Sequence, residues 1–383
     1  MTDRTPTTLR RDVVVIGAGQ AGLSASHFLR KGGLTPGVDF DVLDANPTAG
    51  GAWSHRWDAL TLGDAHGIHD LPDFPLGVPD PTEPAREVVK RYYAAYERHE
   101  NLRVQRPWRV TEVEDSGRGP LLVGATSGDL RREYVADAVI SATGTWDRPY
   151  VPAYPGRFAG IQLTTRDFRA PEDFRGKRVL VVGGGASAVQ FLLLLERYGV
   201  STVWSTRRPP QWIDRAVSPR WGAEVERRVA AKTRAGLPAG SVVSNTGLLK
   251  RPDYEAGIAR GTLVSRGRIA RLTEHGVDFV DGSHADVEVI LWATGFRASL
   301  GHLAPLKLRE PGGGLLVADD DVSLVREPRL FVVGYGPSAS TLGATRAGRR
   351  AARGALRSLE KPRDLDTLLR FAPPLLGQPG AVA

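Results

Sequence analysis

The chain has 383 residues, 41% of them hydrophobic and 25% charged, enough for two or three compact units with sizeable cores. Its net charge of +8 is spread over scattered arginines, with no basic block, zinc-finger spacing or RNA-binding aromatic pattern, so nucleic acid is not an expected partner. Cysteine is absent, which excludes structural disulfides, thiolate metal sites, Cys nucleophiles and flavin–dithiol disulfide reductase chemistry.

In chain order, residues 13–16 are a short apolar, β-branched run that reads as a strand. Gly17-Ala18-Gly19-Gln20-Ala21-Gly22 follows at once. Residues 23–30 read as a helix, and residues 40–43 as a second strand ending in Asp44 and Ala45. Each piece has a role in holding a dinucleotide. Gly17 permits the tight turn, Gly19 lets backbone N–H groups approach a pyrophosphate, and Gly22 lets helix and strand pack closely. Asp44 can accept hydrogen bonds from a ribose diol. In a chain with 44 glycines the bare spacing means little; the flanking strand, helix and acid carry the reading.

Gly50-Gly51-Ala52-Trp53 comes next, with Trp57 close behind. The glycine pair allows backbone to approach a flat ring that Trp53 and Trp57 can wall; a glycine turn with core tryptophans is the alternative. His66 and His69 lack a third convergent ligand, so no metal is expected; His66 is a candidate for lining a site. Residues 83–100 read as a helix, and 102–104, 109–113 and 121–125 as strands. An apolar strand from 136 ends in the turn Ala142-Thr143-Gly144, and 147–152 read as an extended linker.

A second copy of the opening unit follows. Residues 178–182 are its strand, and Gly183-Gly184-Gly185-Ala186-Ser187-Ala188 its turn, with Ala in the third glycine's place. Residues 188–198 are its helix, and 201–205 the next strand, ending in Arg207-Arg208 rather than an acid. Guanidinium groups there suit a ribose 2′-phosphate, favouring NADPH over NADH, with exposed loop arginines as the alternative. Residues 185–189 also echo a hydrolase nucleophile elbow, but Val189 replaces its last glycine. Residues 219–234 read as a surface or lid helix and 238–263 as irregular. Residues 276–280 and 287–292 read as strands, the second ending in Ala293-Thr294-Gly295. The order of glycine turn, then Ala-Thr-Gly, thus occurs twice. A strand over 328–333, a turn with Gly334 and Tyr335, and Thr341-Leu342 lead into a helix over about 344–359. That helix start suits negative charge on a reduced flavin. The tail from 362 reads as mobile. No stretch approaches the ~20 apolar residues of a membrane span, so a soluble cytoplasmic protein is expected.

The two glycine turns, the two Ala-Thr-Gly strand ends, Gly50-Gly51-Ala52-Trp53 and the run from Gly176 to Gly185 resemble the flavin-containing monooxygenase family (class B flavoprotein monooxygenases) over nearly the whole chain. The resemblance implies an α/β fold of two Rossmann-like dinucleotide-binding domains, the NADPH domain inserted into the FAD domain. The expected division is 1–148 for the first part of the FAD domain, 149–295 for NADPH, 296–361 for the FAD return segment and 362–383 for the tail. By matching motifs, Gly17, Gly19, Gly22 and Asp44 hold FAD, and Gly51 and Trp53 lie along the flavin. Gly183, Gly185, Ser187, Arg207 and Arg208 hold NADPH, and the Ala-Thr-Gly turns flank the two cofactors. The implied reaction oxygenates a small-molecule nitrogen, sulfur or ketone centre with O₂, through a flavin C4a-(hydro)peroxide. Two positions depart from the family. Its fingerprint Phe-x-Gly-x-x-x-His-x-x-x-aromatic is met at Phe158, Gly160 and Phe168, but Thr164 replaces the histidine; Gly63 stands where the family has an asparagine over the flavin. His66 and Thr164 are the only acid–base candidates. An NADPH oxidase or reductase of the same fold, and a low-turnover cofactor-binding sensor, are the rival readings. The oligomeric state is open, a homodimer being one option.

Overall fold

β-Branched apolar runs followed by glycine turns and helices start the parallel parts of two sheets, the first of which is extended by antiparallel strands. The computed structural model describes residues 7–65, 68–117, 119–214, 219–240, 247–339 and 341–360. The first sheet begins with β1 (Thr7–Ile16), α1 (Gln20–Lys31) and β2 (Phe40–Leu43). After α2 (Ala85–His99) come β3 (Arg109–Asp115), β4 (Leu121–Ser127) and β5 (Leu130–Ser141). β1 lies between β2 and β5 and runs parallel to both, Ile16 pairing with Leu43 on one side and Ser141 on the other. Three strand C-termini therefore share one edge. Val13, Val14 and Val15 have no exposed surface, the continuous apolar run expected of a parallel strand covered on both faces.

The second sheet uses β6 (Ile161–Thr164), β7 (Arg178–Val182), α3 (Ala186–Arg197) and β8 (Ser201–Ser205). The chain continues through β9 (Trp212–Ile213), α4 (Pro219–Arg234), β10 (Leu248–Leu249) and α5 (Pro252–Ala259). It then forms β11 (Ile269–Leu272), β12 (Gly276–Phe279), β13 (His284–Asp286) and β14 (Val289–Trp292). The parallel order is β6-β14-β7-β8, and β11-β12-β13 form a small antiparallel sheet. Finally β15 (Leu330–Val332) returns to the first sheet, parallel to the end of β5, and α6 (Thr341–Leu359) packs along α1. The helices touch closely where small residues meet: a Cβ added at Gly348 would stand 2.7 Å from the amide nitrogen of Ala25.

Two expectations are corrected. Residues 102–104 are not a strand: Asn101 and Arg103 take left-handed backbone angles, φ 48° and 51°, which break the extended run. The stretch 238–263 is not wholly irregular, because α5 and β10 lie within it. The tail from 362 lies outside the described residues. Among the described residues no helix is long and apolar enough to cross a membrane.

Candidate functional site

A cleft of about 460 Å³ opens at the C-terminal ends of β1, β2 and β5. Gly17, Gly19, Gln20, Ala21, Asp44 and Ala45 line it from the first unit; Gly51, Ala52 and Trp53 close one wall, and Ala142, Thr143, Gly144 and Gly334 another. The three glycines of the turn serve different ends. At Gly17 (φ +102°) an added Cβ would lie 2.6 Å from the carbonyl oxygen of Ala142, and at Gly22 it would collide with the carbonyl oxygen of Gly17. At Gly19 it would meet nothing within 4 Å. That position is open on the protein side, a cradle a Cβ would partly fill. α1 starts at Gly19 with no side-chain cap and no acid in its first turn. Its N–H groups and positive dipole end are left to an anion. Asp44 is buried; its Oδ2 accepts the Ala18 N–H (3.0 Å) and its Oδ1 the Asn46 N–H (2.8 Å). Gln20 braces the turn, its Oε1 accepting the Tyr93 hydroxyl at 2.7 Å.

The second turn repeats this geometry. A Cβ at Gly183 would collide with the carbonyl oxygen of Ala293, as one at Gly17 meets Ala142. A Cβ at Gly185 would meet nothing within 4 Å. α3 starts there, through Ala186, Ser187 and the fully buried Ala188, again without a side-chain cap or an acid in its first turn. Arg207 and Arg208 follow β8, exposed and without an ion pair among the described residues. The Ala-Thr-Gly turns lead into two crossing segments clasped reciprocally. The Thr143 hydroxyl donates to the Ser299 carbonyl (2.7 Å), and the Thr294 hydroxyl to that of Tyr150. Ser299 N–H donates to Gly144, and Tyr150 N–H to Gly295, both at 2.9 Å.

A second cavity, about 400 Å³, shares His55 and Trp146 with the first. Trp57 lines this cavity and not the cleft, packed against Phe168 and Phe191. This corrects its expected place beside Trp53. His55 stacks on Trp146 and lies 2.6 Å from Asn46 Oδ1, a bond that assigns the ring proton to Nε2. Burial first, then the nearby Arg166, hold the His55 pKa below its ordinary value. The Arg56 guanidinium stands over Trp146, 4.5 Å from the ring centroid, and burial draws its pKa down to about 10.

Of the acid–base candidates, Thr164 lines neither cavity; its hydroxyl donates to Asp167 at 2.6 Å and closes its own turn. His66 lies outside the described residues. Gly63 also lines neither cavity, its N–H bonded to the Pro81 carbonyl (2.8 Å). Tyr335 is buried below Gly334, its hydroxyl accepting the Leu315 N–H at 3.3 Å; Thr341 and Leu342 open α6. Sequence reasoning missed His55, Arg56 and Trp146 as site residues. The available signal was the turn after Gly50-Gly51, which carries three aromatic or basic side chains in succession. Among the described residues no group of three His, Cys, Asp or Glu is arranged to hold a metal.

The family model for pyridine nucleotide-disulphide oxidoreductases matches residues 14–237. A solved flavin-containing monooxygenase from Stenotrophomonas maltophilia is 35% identical, covering 91% of this chain and 98% of its own, with a TM-score of 0.76. The indole-3-pyruvate monooxygenase YUCCA1 of Oryza sativa subsp. japonica is 27% identical over 87% of this chain and 90% of its own. The bacillithiol disulfide reductase of Bacillus cereus shares the fold at 20% identity and a TM-score of 0.68, over 91% of this chain and 99% of its own.

Proposed function

We propose a function from one premise: the chain belongs to the pyridine nucleotide-disulphide oxidoreductase family and, within it, to the flavin-containing monooxygenases. It is an oxidoreductase of the flavin-dependent monooxygenase kind. On our reading FAD occupies the first cleft and NADPH the second glycine turn, and the substrate is a small molecule oxygenated at nitrogen, sulfur or a ketone carbon. One observation carries the reading of two dinucleotide sites. Each glycine turn ends in an uncapped helix start whose middle glycine faces open space. With glycine at the cap each start forgoes only about a few tenths of a kcal/mol of helix stability, and its unpartnered N–H groups are left for a bound pyrophosphate.

The residues fit FAD in the first cleft. The N–H groups of α1 meet the pyrophosphate, Asp44 takes the ribose diol, and Gly51 with Trp53 borders the ring. At the second turn Arg207 and Arg208 meet the 2′-phosphate of NADPH. Residues 1–148 and 296–361 would thus form the FAD unit and 149–295 the NADPH unit. Bound FAD supplies hydride acceptance and oxygen activation. The chain supplies orientation and exclusion of water. It also supplies, at His55 on the wall shared by the two cavities, a neutral imidazole able to take up a proton.

The oxidase or reductase reading is favoured by one observation, that Thr164 and Gly63 stand in place of the histidine and the asparagine of the family pattern. The test loads the protein with FAD and supplies NADPH with an amine, a sulfide or a ketone. A monooxygenase forms oxygenated product and releases correspondingly less H₂O₂ per NADPH. One H₂O₂ per NADPH with every compound would support the oxidase instead.

A further inference from the structure

We propose that the second cavity binds the carboxylate of an aromatic acid, with Arg56 as the anion anchor, and so selects an acidic substrate for the flavin site; this rests on the flavin reading above. Four guanidinium groups line the cavity, and three have protein partners. Arg86 pairs with Asp58 (2.7 Å) and Glu87 (3.1 Å), and Arg166 with Asp147 (3.4 Å). Arg169 donates to the carbonyls of Arg166 and Phe168, at 3.0 and 3.4 Å. Arg56 has no carboxylate within ion-pair distance among the described residues, and its buried Nε has no hydrogen-bond partner. Its contacts are the faces of Trp146 and Trp53, with centroids 4.5 and 5.8 Å away.

A half-buried cation without an anion is costly to keep. A ring face offsets part of that cost and leaves the guanidinium edge free for a carboxylate. A second donor is also unmatched: the indole N–H of Trp146 is buried with no acceptor. Trp146, Trp57 and Phe168 give the cavity flat apolar walls. Its volume of about 400 Å³ suits an acid with one or two rings. Because His55 and Trp146 wall both cavities, an acid held by Arg56 lies next to the flavin cleft. A nucleotide phosphate shares this anionic chemistry, and the experiment separates the two.

The FAD-loaded protein is titrated with phenylacetate and with its neutral analogue phenylacetamide, followed by flavin absorbance and tryptophan fluorescence. Phenylacetate is expected to saturate the signal and phenylacetamide to leave it unchanged. Arg56→Gln should weaken phenylacetate roughly 30-fold or more, Arg56→Lys less, both with FAD content and NADPH affinity unaltered. Equal binding of acid and amide, or no effect of Arg56→Gln on phenylacetate, overturns the proposal. So does a loss of NADPH affinity in Arg56→Gln with NADPH displacing phenylacetate, which assigns the anchor to the nucleotide. Failure of the wild-type protein to hold FAD would sink the flavin reading instead, and is read separately by flavin content.

Discussion

Gly19 and Gly22 sit three residues apart in one turn, held as glycine by opposite demands. Gly22 leaves no room inside the protein, whereas Gly19 leaves room that only a ligand would use. Gly22→Ala is expected to cost about 3 kcal/mol or prevent folding. Gly19→Ala should leave the flavin-free protein within ~0.5 kcal/mol of wild type yet weaken FAD at least roughly tenfold. Calorimetry of the apoprotein and a flavin-release titration check both. His302 gives a pH prediction. It is buried beside Ser141, its Nε2 3.0 Å from the hydroxyl, and burial lowers its pKa from 6.5 to about 4. The unfolded chain therefore binds this proton first. The stability contribution is intact above about pH 6.5 and is lost as pH falls toward 4, amounting to about 3 kcal/mol. Denaturant titrations of His302→Gln should show a correspondingly shallower loss over that window, and an identical acid limb would contradict the assignment.

At the scale of elements, the return helix α6 reaches α1 only because Gly348 lets the backbones approach. Gly348→Leu should lower stability by about 3 kcal/mol and reduce FAD retention, since Ala344, on α6, leaves the cleft wall when the helix shifts. Unfolding midpoint and flavin content measured together test this. The strands and helices bordering the glycine turns were legible because buried parallel strands require unbroken apolar runs and the turns require glycine. The same logic misled at 102–104, where Leu102 and Val104 look strand-like but the left-handed Asn101 and Arg103 do not allow a strand. It missed α5, a short helix over Pro252–Ala259 in which only Tyr254 and Gly257 are buried and no apolar stripe at helical spacing marks it. The pairing of Gly17 with Ala142 and of Gly183 with Ala293 was legible only as a repeated order; its geometry requires the folded chain. Of the second cavity only the run His55-Arg56-Trp57 left a signal in the sequence. The cavity assembles residues 54–58, Arg86, Trp146, Arg166 and 168–170, and no local pattern joins segments that far apart.

Over the whole molecule, two copies of one nucleotide-binding device are joined by crossing segments that clasp each other through Thr143 and Thr294. They differ at the end of the second strand, where Asp44 in one copy is answered by Arg207 and Arg208 in the other. That difference carries the central claim, a flavin site and a separate NADPH site in one chain. The most direct measurement is anaerobic rapid mixing of the FAD-loaded protein with NADPH or NADH, following loss of the oxidised flavin band. The account predicts reduction at lower concentrations of NADPH than of NADH, with the preference lost in Arg207→Gln/Arg208→Gln while FAD content is unchanged. No reduction by either nucleotide, or a preference untouched by the double substitution, would contradict it.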